Sequence, residues 1–211
     1  MIVPRVLLAD DHKLLLEAFK TLLAPSCEIV GTFADGRQLL AAAPTLNPDV
    51  IVLDMAMPLM NGLDAGRRLK QIMPRTRLIY LTVNQDPDFA QEAFRIGASG
   101  YLLKNSAASE LFHAIREALQ GRRYVTPLIA EKLQEQFIQG SYRKPGASEL
   151  TLRQREVLQL LAEGHSMKQA AVILKVTPRT VAFHKYRIMQ DYQLKSNADL
   201  VRFALQQGPP S

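Results

Sequence analysis

The sequence predicts an α/β fold, a doubly wound five-stranded parallel sheet, followed by a second, smaller domain that is all helical. Five short apolar runs in the first part of the chain alternate with stretches whose apolar residues recur at helical spacing. This alternation is typical of a parallel sheet with helices on both faces and right-handed crossovers. From about residue 149 the apolar residues recur only at helical spacing, which predicts the helical domain.

The central strand is predicted over residues 48–54. It is an apolar, largely β-branched run that begins after Pro48 and ends at Asp54. An uninterrupted run of this kind suits a strand that is buried on both faces of a parallel sheet. Ligands of open α/β sheets bind at the carboxyl ends of the strands. Asp54 is therefore expected where the chemistry takes place.

The other elements of the first domain follow from the same two patterns. The remaining strands are predicted over residues 4–9, 28–33, 78–83 and 100–103, and the helices over about 14–23, 36–46, 63–72, 87–96 and 107–119. Gly97 and Gly121 follow the last two helices, and glycine is a common residue at that position because it adopts the left-handed conformation.

Polar side chains stand where these strands end. They are Asp10 and Asp11 after the first strand, Asp54 at the third, Thr82 at the fourth and Lys104 at the fifth. Three neighbouring carboxylates repel one another and need a cation, and their hard oxygens suit Mg²⁺. A carboxylate can also act as a nucleophile and form an aspartyl-phosphate, which a threonine hydroxyl and a lysine could contact.

Each of these residues taken alone has an ordinary structural interpretation. An aspartate at a strand end usually caps the next helix. A threonine in a strand usually has only a packing role, and a lysine usually lies at the solvated surface. The signal comes from finding all of them at one edge of one sheet.

Residues 1–120 carry the motifs of a known domain. The matching residues are Leu8 to His12, Asp54, Met57, Pro58, Gly62, Leu81, Thr82 and Gly100 to Lys104. In these motifs the segment resembles the receiver domain of bacterial two-component response regulators, over its whole length.

The resemblance implies a function for each matched position. Asp54 would accept phosphate from a sensor histidine kinase, and Lys104 would assist this phosphoryl transfer. The Mg²⁺ ligands would be Asp10 or Asp11, Asp54 and the carbonyl of Ala56. Thr82 and Tyr101 would be the switch pair that moves when the phosphoryl group attracts the threonine hydroxyl, although Tyr101 read alone is a half-buried strand aromatic.

One position departs from the receiver pattern. Asn105 follows Lys104, where many receivers have a proline after a cis peptide bond. A cis bond before a residue other than proline costs about 3 kcal/mol, so the resemblance leaves the geometry of this bond open.

Composition excludes several classes of protein. Cys27 is the one cysteine of the chain, which excludes an intramolecular disulfide framework and metal clusters built on several cysteines. No apolar run approaches the ~20 residues of a membrane span, and the N-terminal run is too short and interrupted for a signal peptide. We therefore expect a cytoplasmic protein with no membrane partner.

The net charge of +6 is unevenly spread and helps to divide the chain. Residues 1–120 carry −1, residues 121–147 carry +3 and residues 148–211 carry +4. We predict a first domain over 1–120, a linker containing a helix over 121–147, with Pro127 in its first turn, and a second domain over 148–211. The basic second part suggests an acidic polymer as partner, unless it is only a solvated basic surface.

The second domain is predicted to contain a helix-turn-helix. A short helix capped by Ser166 runs through residue 174, and a longer helix with Thr177 as its cap runs to about residue 192. A short helix, a tight turn and a longer basic helix form the unit that enters the major groove of DNA. The candidate DNA contacts are Arg179, Thr180, Ala182, Phe183, Lys185, Tyr186 and Arg187. A small helical bundle without a DNA role is the alternative.

Residues 149–207 also match a known domain. The matching stretches are 150–153, 155–158, 161–164, 180–184 and 196–200. They resemble the four-helix output domain of LuxR- and NarL-type regulators, which implies a recognition face over 181–188 and a dimer helix that includes 200–205. Lys175 and Gln193 stand where the family usually has glycine, and Ala182 stands where it often has lysine.

The two resemblances together imply a transcriptional regulator that binds double-stranded DNA under the control of phosphorylation at Asp54. We expect it to form a homodimer when phosphorylated, on a two-fold DNA site. The alternative is a DNA-binding regulator whose receiver is a phosphorylation-independent dimerisation platform. We do not expect an enzyme: Ala56 stands where aspartyl phosphatases often have their general acid, and the first strand ends in acids instead of a glycine-rich dinucleotide turn.

Overall fold

The computed structural model describes residues 3–57, 60–138 and 150–207. The chain divides into two compact units, residues 1–135 and 136–211. Pro58 of the receiver motif and most of the expected linker after residue 138 lie outside the described residues. The predicted boundaries at 120 and 147 stay predictions.

The first unit is a parallel sheet with helices between its strands. Its elements are β1 (Arg5–Ala9), α1 (Lys13–Leu23), β2 (Glu28–Phe33), α2 (Gly36–Leu46), β3 (Val50–Asp54), α3 (Gly62–Ile72), β4 (Arg77–Thr82), α4 (Pro87–Ile96), β5 (Gly100–Leu103), α5 (Ala107–Leu119), β6 (Tyr124–Val125) and α6 (Pro127–Ile138). The strand order is β2-β1-β3-β4-β5-β6, and every pairing is parallel. The predicted doubly wound α/β fold is confirmed.

The apolar run that ends at Asp54 is the centre of the sheet. Val52 of β3 lies opposite Leu8 of β1 on one side and Ile79 of β4 on the other, and all five residues of β3 are buried. The strand order reverses between β1 and β3, which creates the crevice where α/β folds bind ligands. Asp54 therefore ends a strand next to that crevice.

A sixth strand, β6, extends the sheet inside the segment that we expected to be a linker. It is only two residues long, too short for its apolar pattern to be recognised. Thr126 follows it and fixes the start of α6: its carbonyl accepts from the backbone N–H groups of Ile129 and Ala130 at 2.9 and 3.1 Å. Ile129 is fully buried, so α6 is anchored to the first unit.

The Thr126 side chain lies at the end of β5. Its hydroxyl accepts from the backbone N–H of Leu103 at 3.1 Å and donates to Glu110 Oε2 at 2.7 Å. Its own N–H donates to the carbonyl of Tyr101 at 3.0 Å. The residue before Lys104 thus has its backbone N–H satisfied by the connector.

The second unit is all helical. It contains α7 (Leu152–Ala162), α8 (Met167–Ile173), α9 (Pro178–Asp191) and α10 (Asn197–Gln207). Thr151, Ser166 and Thr177 cap the first three helices through their hydroxyl oxygens, as predicted for Ser166 and Thr177. Apolar residues of α7 and α9 pack together with Leu200 of α10 in one cluster and with α8 in another.

Three helices of this unit end in the same left-handed turn. Gly164, Lys175 and Gln193 follow α7, α8 and α9 with φ angles of 90°, 53° and 56°. In each turn this residue and the next donate back to the last helical turn, as Lys175 N does to Val172 O at 3.2 Å. This is the Schellman arrangement, which favours glycine. At two of the three positions the chain forms this turn with a residue other than glycine.

Among the described residues, no helix is both long and apolar enough to cross a membrane.

Replacing Thr126 by valine should destabilise the first unit. The substitution keeps the shape but leaves the buried N–H of Leu103 without an acceptor, which costs about 1–3 kcal/mol. Urea unfolding of the full chain measures the change. The control is Thr21→Val, since Thr21 is exposed and its hydroxyl bonds only a carbonyl of its own helix. Equal effects of the two substitutions would contradict the role given to Thr126.

Glycine at the two left-handed positions should stabilise the second unit. Lys175→Gly and Gln193→Gly each remove a strained side chain, and we expect a gain of roughly 0.5–1.5 kcal/mol after the entropy of glycine is subtracted. Thermal unfolding measures it. Gly164→Ala is the reciprocal control, because nothing lies within 4 Å of the added carbon and only the backbone penalty remains. Loss of stability in both glycine variants would show that these turns are unstrained.

Candidate functional site

The sheet gathers the predicted polar residues at one edge. Asp54 is the last residue of β3 and Thr82 the last residue of β4, while Asp10 directly follows β1 and Lys104 directly follows β5. Parallel strands place their carboxyl ends together, so the four side chains converge. Asp10 is 1% exposed and Asp54 is fully buried.

One lysine forms ion pairs with two of the acids. Lys104 Nζ lies 2.7 Å from Asp10 Oδ2 and 3.1 Å from Asp54 Oδ2, and its side chain is only 12% exposed. The backbone N–H of Lys104 donates to the Thr82 carbonyl at 2.7 Å, which fixes the start of the side chain. The bond between Lys104 and Asn105 is trans, so the question left open by the sequence is answered.

The Asp54 carboxylate is an acceptor with unused capacity. Burial is the main influence on its pKa and raises it; the ammonium of Lys104 lowers it, Asp10 raises it, and the backbone N–H of Ala56 lowers it. Neither Asp54 oxygen, nor Oδ2 of Asp10, has a hydrogen-bond partner of good geometry. Buried acceptors in this state are where a ligand or ion is expected.

A glycine at the start of α3 packs against the backbone at the end of β3. A Cβ at Gly62 would lie 2.2 Å from the Asp54 carbonyl oxygen, so no other residue fits without moving the backbone. The Gly62 N–H donates to the Met55 carbonyl at 3.2 Å. The segment that contains Ala56 is thus folded back on the end of β3.

His12 belongs to the site, and sequence reasoning missed it. Its Nδ1 lies 3.0 Å from Asp10 Oδ1 and 2.9 Å from Asp11 Oδ1. Ligand atoms of these three residues and of Asp54 lie within 4.8 Å of one another. The only sequence signal is that His12 directly follows the acid pair. His12 occupies the N-cap position of α1, and its side chain makes no capping hydrogen bond. Asp10 and Asp11 therefore do not cap that helix.

Thr82 and Tyr101 are joined by hydrogen bonds. The Thr82 hydroxyl oxygen accepts from the backbone N–H of Asn84 at 3.0 Å, and the Tyr101 hydroxyl donates to the Asn84 carbonyl at 3.3 Å. Tyr101 is fully buried rather than half-buried, and this burial raises its pKa. Both members of the expected switch pair thus contact the segment after β4.

Comparisons with known proteins agree with this geometry. The family model described as response regulator receiver domain matches residues 6–116, and the one described as bacterial regulatory proteins, luxR family, matches residues 148–204. The chain is 32% identical over 209 residues to the oxygen regulatory protein NreC of Staphylococcus carnosus (strain TM300), and the match covers 95% of this chain and 96% of NreC.

The chain belongs to the NarL/FixJ-type response regulators. This regulator is therefore a DNA-binding transcriptional regulator with a receiver domain. A LuxR-family response regulator from Aurantimonas sp. SI85-9A1 is 33% identical, with a TM-score of 0.62 over 65% of this chain and 99% of that one. The RcsB–DNA complex, at 23% identity, shares the fold, with a TM-score of 0.64 over 99% of this chain and 100% of that one.

The regulator's candidate DNA contacts lie on α9, but not all of them are accessible in the structure. Arg179 and Tyr186 are exposed, while Ala182, Phe183 and Arg187 are half-buried. Thr180 and Lys185 are buried, and the hydroxyls of Thr180 and Thr177 lie 3.0 Å apart at the start of the helix. The DNA role of these side chains remains a prediction.

The two segments implied for recognition and dimerisation are not wholly on the surface. Val181 and Ile188, at the ends of the expected recognition face, are fully buried in the apolar clusters of the second unit. In the expected dimer segment Leu200 is buried and Leu205 is 76% exposed. Any contact by these segments must therefore use their exposed or half-buried residues.

Asp54→Asn should stabilise the first unit at neutral pH without divalent cations. The amide removes a buried charge whose pKa is raised by burial, and Lys104 keeps Asp10 as its partner. We expect a gain of about 1–2 kcal/mol, by analogy with neutral replacements of buried ionic groups. Urea unfolding at several pH values measures it.

The pH dependence has a definite sign. Between the ordinary pKa of 3.8 and the raised value in the folded state, the folded Asp54 keeps a proton that the unfolded chain releases. The stability of the natural protein therefore falls as pH rises through that interval, and the advantage of Asp54→Asn grows there. Glu131→Gln, at an exposed site on α6, should change stability by less than about 0.5 kcal/mol at all pH values. A destabilised Asp54→Asn variant would contradict the analysis.

Proposed function

We propose that Asp54 accepts a phosphoryl group from a sensor histidine kinase and that this phosphorylation controls DNA binding. The observation that carries the proposal is the state of Asp54: fully buried at a strand end, 3.1 Å from the Lys104 ammonium, with both oxygens lacking a well-formed hydrogen bond. Its lone pairs are therefore only partly used by the protein. Family membership supports the same reaction.

The transfer follows from these groups. A carboxylate oxygen of Asp54 attacks the phosphorus of a phosphohistidine, an O–P bond forms, and the N–P bond breaks with its electron pair returning to the imidazole, which then takes a proton from solvent. Lys104 is placed to pair with a phosphoryl oxygen, since its ammonium already lies beside Asp54. Such positioning and charge stabilisation are the main contributions of a protein to phosphoryl transfer.

The donor set fits Mg²⁺. Asp10, Asp11 and Asp54 supply hard oxygens within reach of one another, and the carbonyl of Ala56 is the fourth group that we assign. Mg²⁺ bound there would neutralise part of the negative charge of the acids and of the phosphoryl group.

Thr82 and Tyr101 are the residues that move in response to the phosphoryl transfer. When the Thr82 hydroxyl turns to a phosphoryl oxygen, it leaves the N–H of Asn84, which it accepts from in this structure. The Tyr101 hydroxyl is bonded to the same Asn84, so its position changes as well. This is a local charge event that biases a two-state element.

For the output domain we propose binding to a two-fold DNA site as a homodimer. Arg179 and Tyr186 are exposed on α9 and are the side chains best placed to reach DNA. Solved structures of the similarly folded RcsB include DNA complexes. In the alternative, DNA binding is the same but the receiver only holds two copies together. We further propose that the protein is not an enzyme, because Ala56 offers no acid for turnover.

The first experiment measures phosphate on the intact protein. With Mg²⁺ and phosphoramidate as donor, the natural protein should gain one phosphoryl group by mass spectrometry and Asp54→Asn should gain none. Asp64→Asn, at an exposed acid of α3, is the matched control and should gain one. Equal phosphate on the natural protein and Asp54→Asn would refute the assignment.

DNA affinity separates the two forms of the proposal. It is compared with and without donor at fixed salt, because binding to DNA depends steeply on salt. A shift that is absent in Asp54→Asn supports control by phosphorylation. An unchanged affinity in a phosphorylated sample favours the dimerisation platform.

A further inference from the structure

The imidazole of His12 occupies the point at which two of the acids converge. Its Nδ1 lies 3.0 Å from Asp10 Oδ1 and 2.9 Å from Asp11 Oδ1. The backbone N–H of His12 also donates to Asp10 Oδ1, at 2.9 Å, so the residue is held at both its backbone and its ring. The ring does not cap α1 and its side chain is 69% exposed.

These separations are those of neighbouring ligand atoms around one ion. Two ligands bound at right angles, each roughly 2.05 Å from a metal, are roughly 2.9 Å apart. His12 Nδ1 shows this spacing to each of the two oxygens, and one ligand atom from each of His12, Asp10, Asp11 and Asp54 lies within 4.8 Å of the others.

The buried part of the site points to the same position independently. Asp54 is fully buried, and neither of its oxygens has a hydrogen bond of good geometry. Lys104 neutralises only part of the charge of three carboxylates. The donor set is thus three carboxylates and one imidazole, where the sequence predicted oxygen ligands alone.

We propose that His12 is a ligand to the cation held by the acidic cluster and that it gives the site a preference for first-row transition ions over Mg²⁺. Imidazole suits Ni²⁺, Zn²⁺ and similar ions, whereas Mg²⁺ binds carboxylates, carbonyls and water. The inference rests on the cation site of the proposed function and adds a nitrogen donor to it. His12 then determines which metal the site selects.

The test is calorimetric titration of the untagged full chain with Ni²⁺ and with Mg²⁺. His12→Asn should weaken Ni²⁺ binding at this site by about 10-fold or more, while Mg²⁺ affinity changes by less than about 3-fold because imidazole is a poor Mg²⁺ ligand. His113→Asn is the control, since His113 is exposed on α5 and contacts Tyr124 and Arg116. It should leave the affinity of this site for both ions unchanged.

Two results would overturn the proposal. Unchanged Ni²⁺ affinity in His12→Asn would mean that the ring is no ligand, and equal gains in affinity for both ions would mean that it only competes with them. Asp54→Asn separates this failure from that of the cation site: if it weakens neither ion, the site itself is misplaced. Phosphate uptake from phosphoramidate is measured separately and tests Asp54 alone.

Discussion

The Lys104 ammonium, placed between Asp10 and Asp54, is the interaction on which this receiver domain depends. Two carboxylates that are 1% and 0% exposed cannot both stay ionised in a protein interior without a cation. Contacts of 2.7 and 3.1 Å let one lysine serve both. The sheet makes this possible because β1, β3 and β5 are parallel and deliver their last residues to one edge. The lysine therefore joins three strands that are not all neighbours.

Lys104 neutralises only part of the negative charge of the acids, and the remaining charge leaves the site able to bind a ligand. Asp11 adds a third negative charge, and burial, the largest influence, raises the pKa of Asp54. A fully satisfied network would be more stable but would have nothing to offer a ligand. Here buried oxygens lack well-formed hydrogen bonds, so the proposed cation or phosphoryl group would find acceptors already ordered. Stability and reactivity compete at the same few atoms.

The features that strand periodicity determines could be predicted from the sequence, whereas those that loop geometry determines could not. The acids and Lys104 were predictable because a parallel sheet collects its strand ends. The position of His12 was not, since it depends on the turn between β1 and α1, and β6 was not, since two residues show no periodicity. In the output domain the helices and their caps followed from the pattern. The burial of Thr180 and Lys185 did not, because it depends on how α9 packs, which composition does not record.

The connection between the site and α6 follows from hydrogen bonds rather than from proximity alone. Tyr101 and Leu103 lie on β5, shortly before Lys104. The Thr126 N–H donates to the Tyr101 carbonyl at 3.0 Å, and the Leu103 N–H donates to the Thr126 hydroxyl at 3.1 Å. Thr126 in turn holds the first turn of α6 through its carbonyl. Lys132 of the same helix reaches Gln85, in the segment after Thr82, at 3.1 Å. A displacement at the ends of β4 or β5 must therefore either move α6 or break one of these bonds. Because the bond at Leu103 is buried and costly to leave unmade, the start of α6 is held to the receiver.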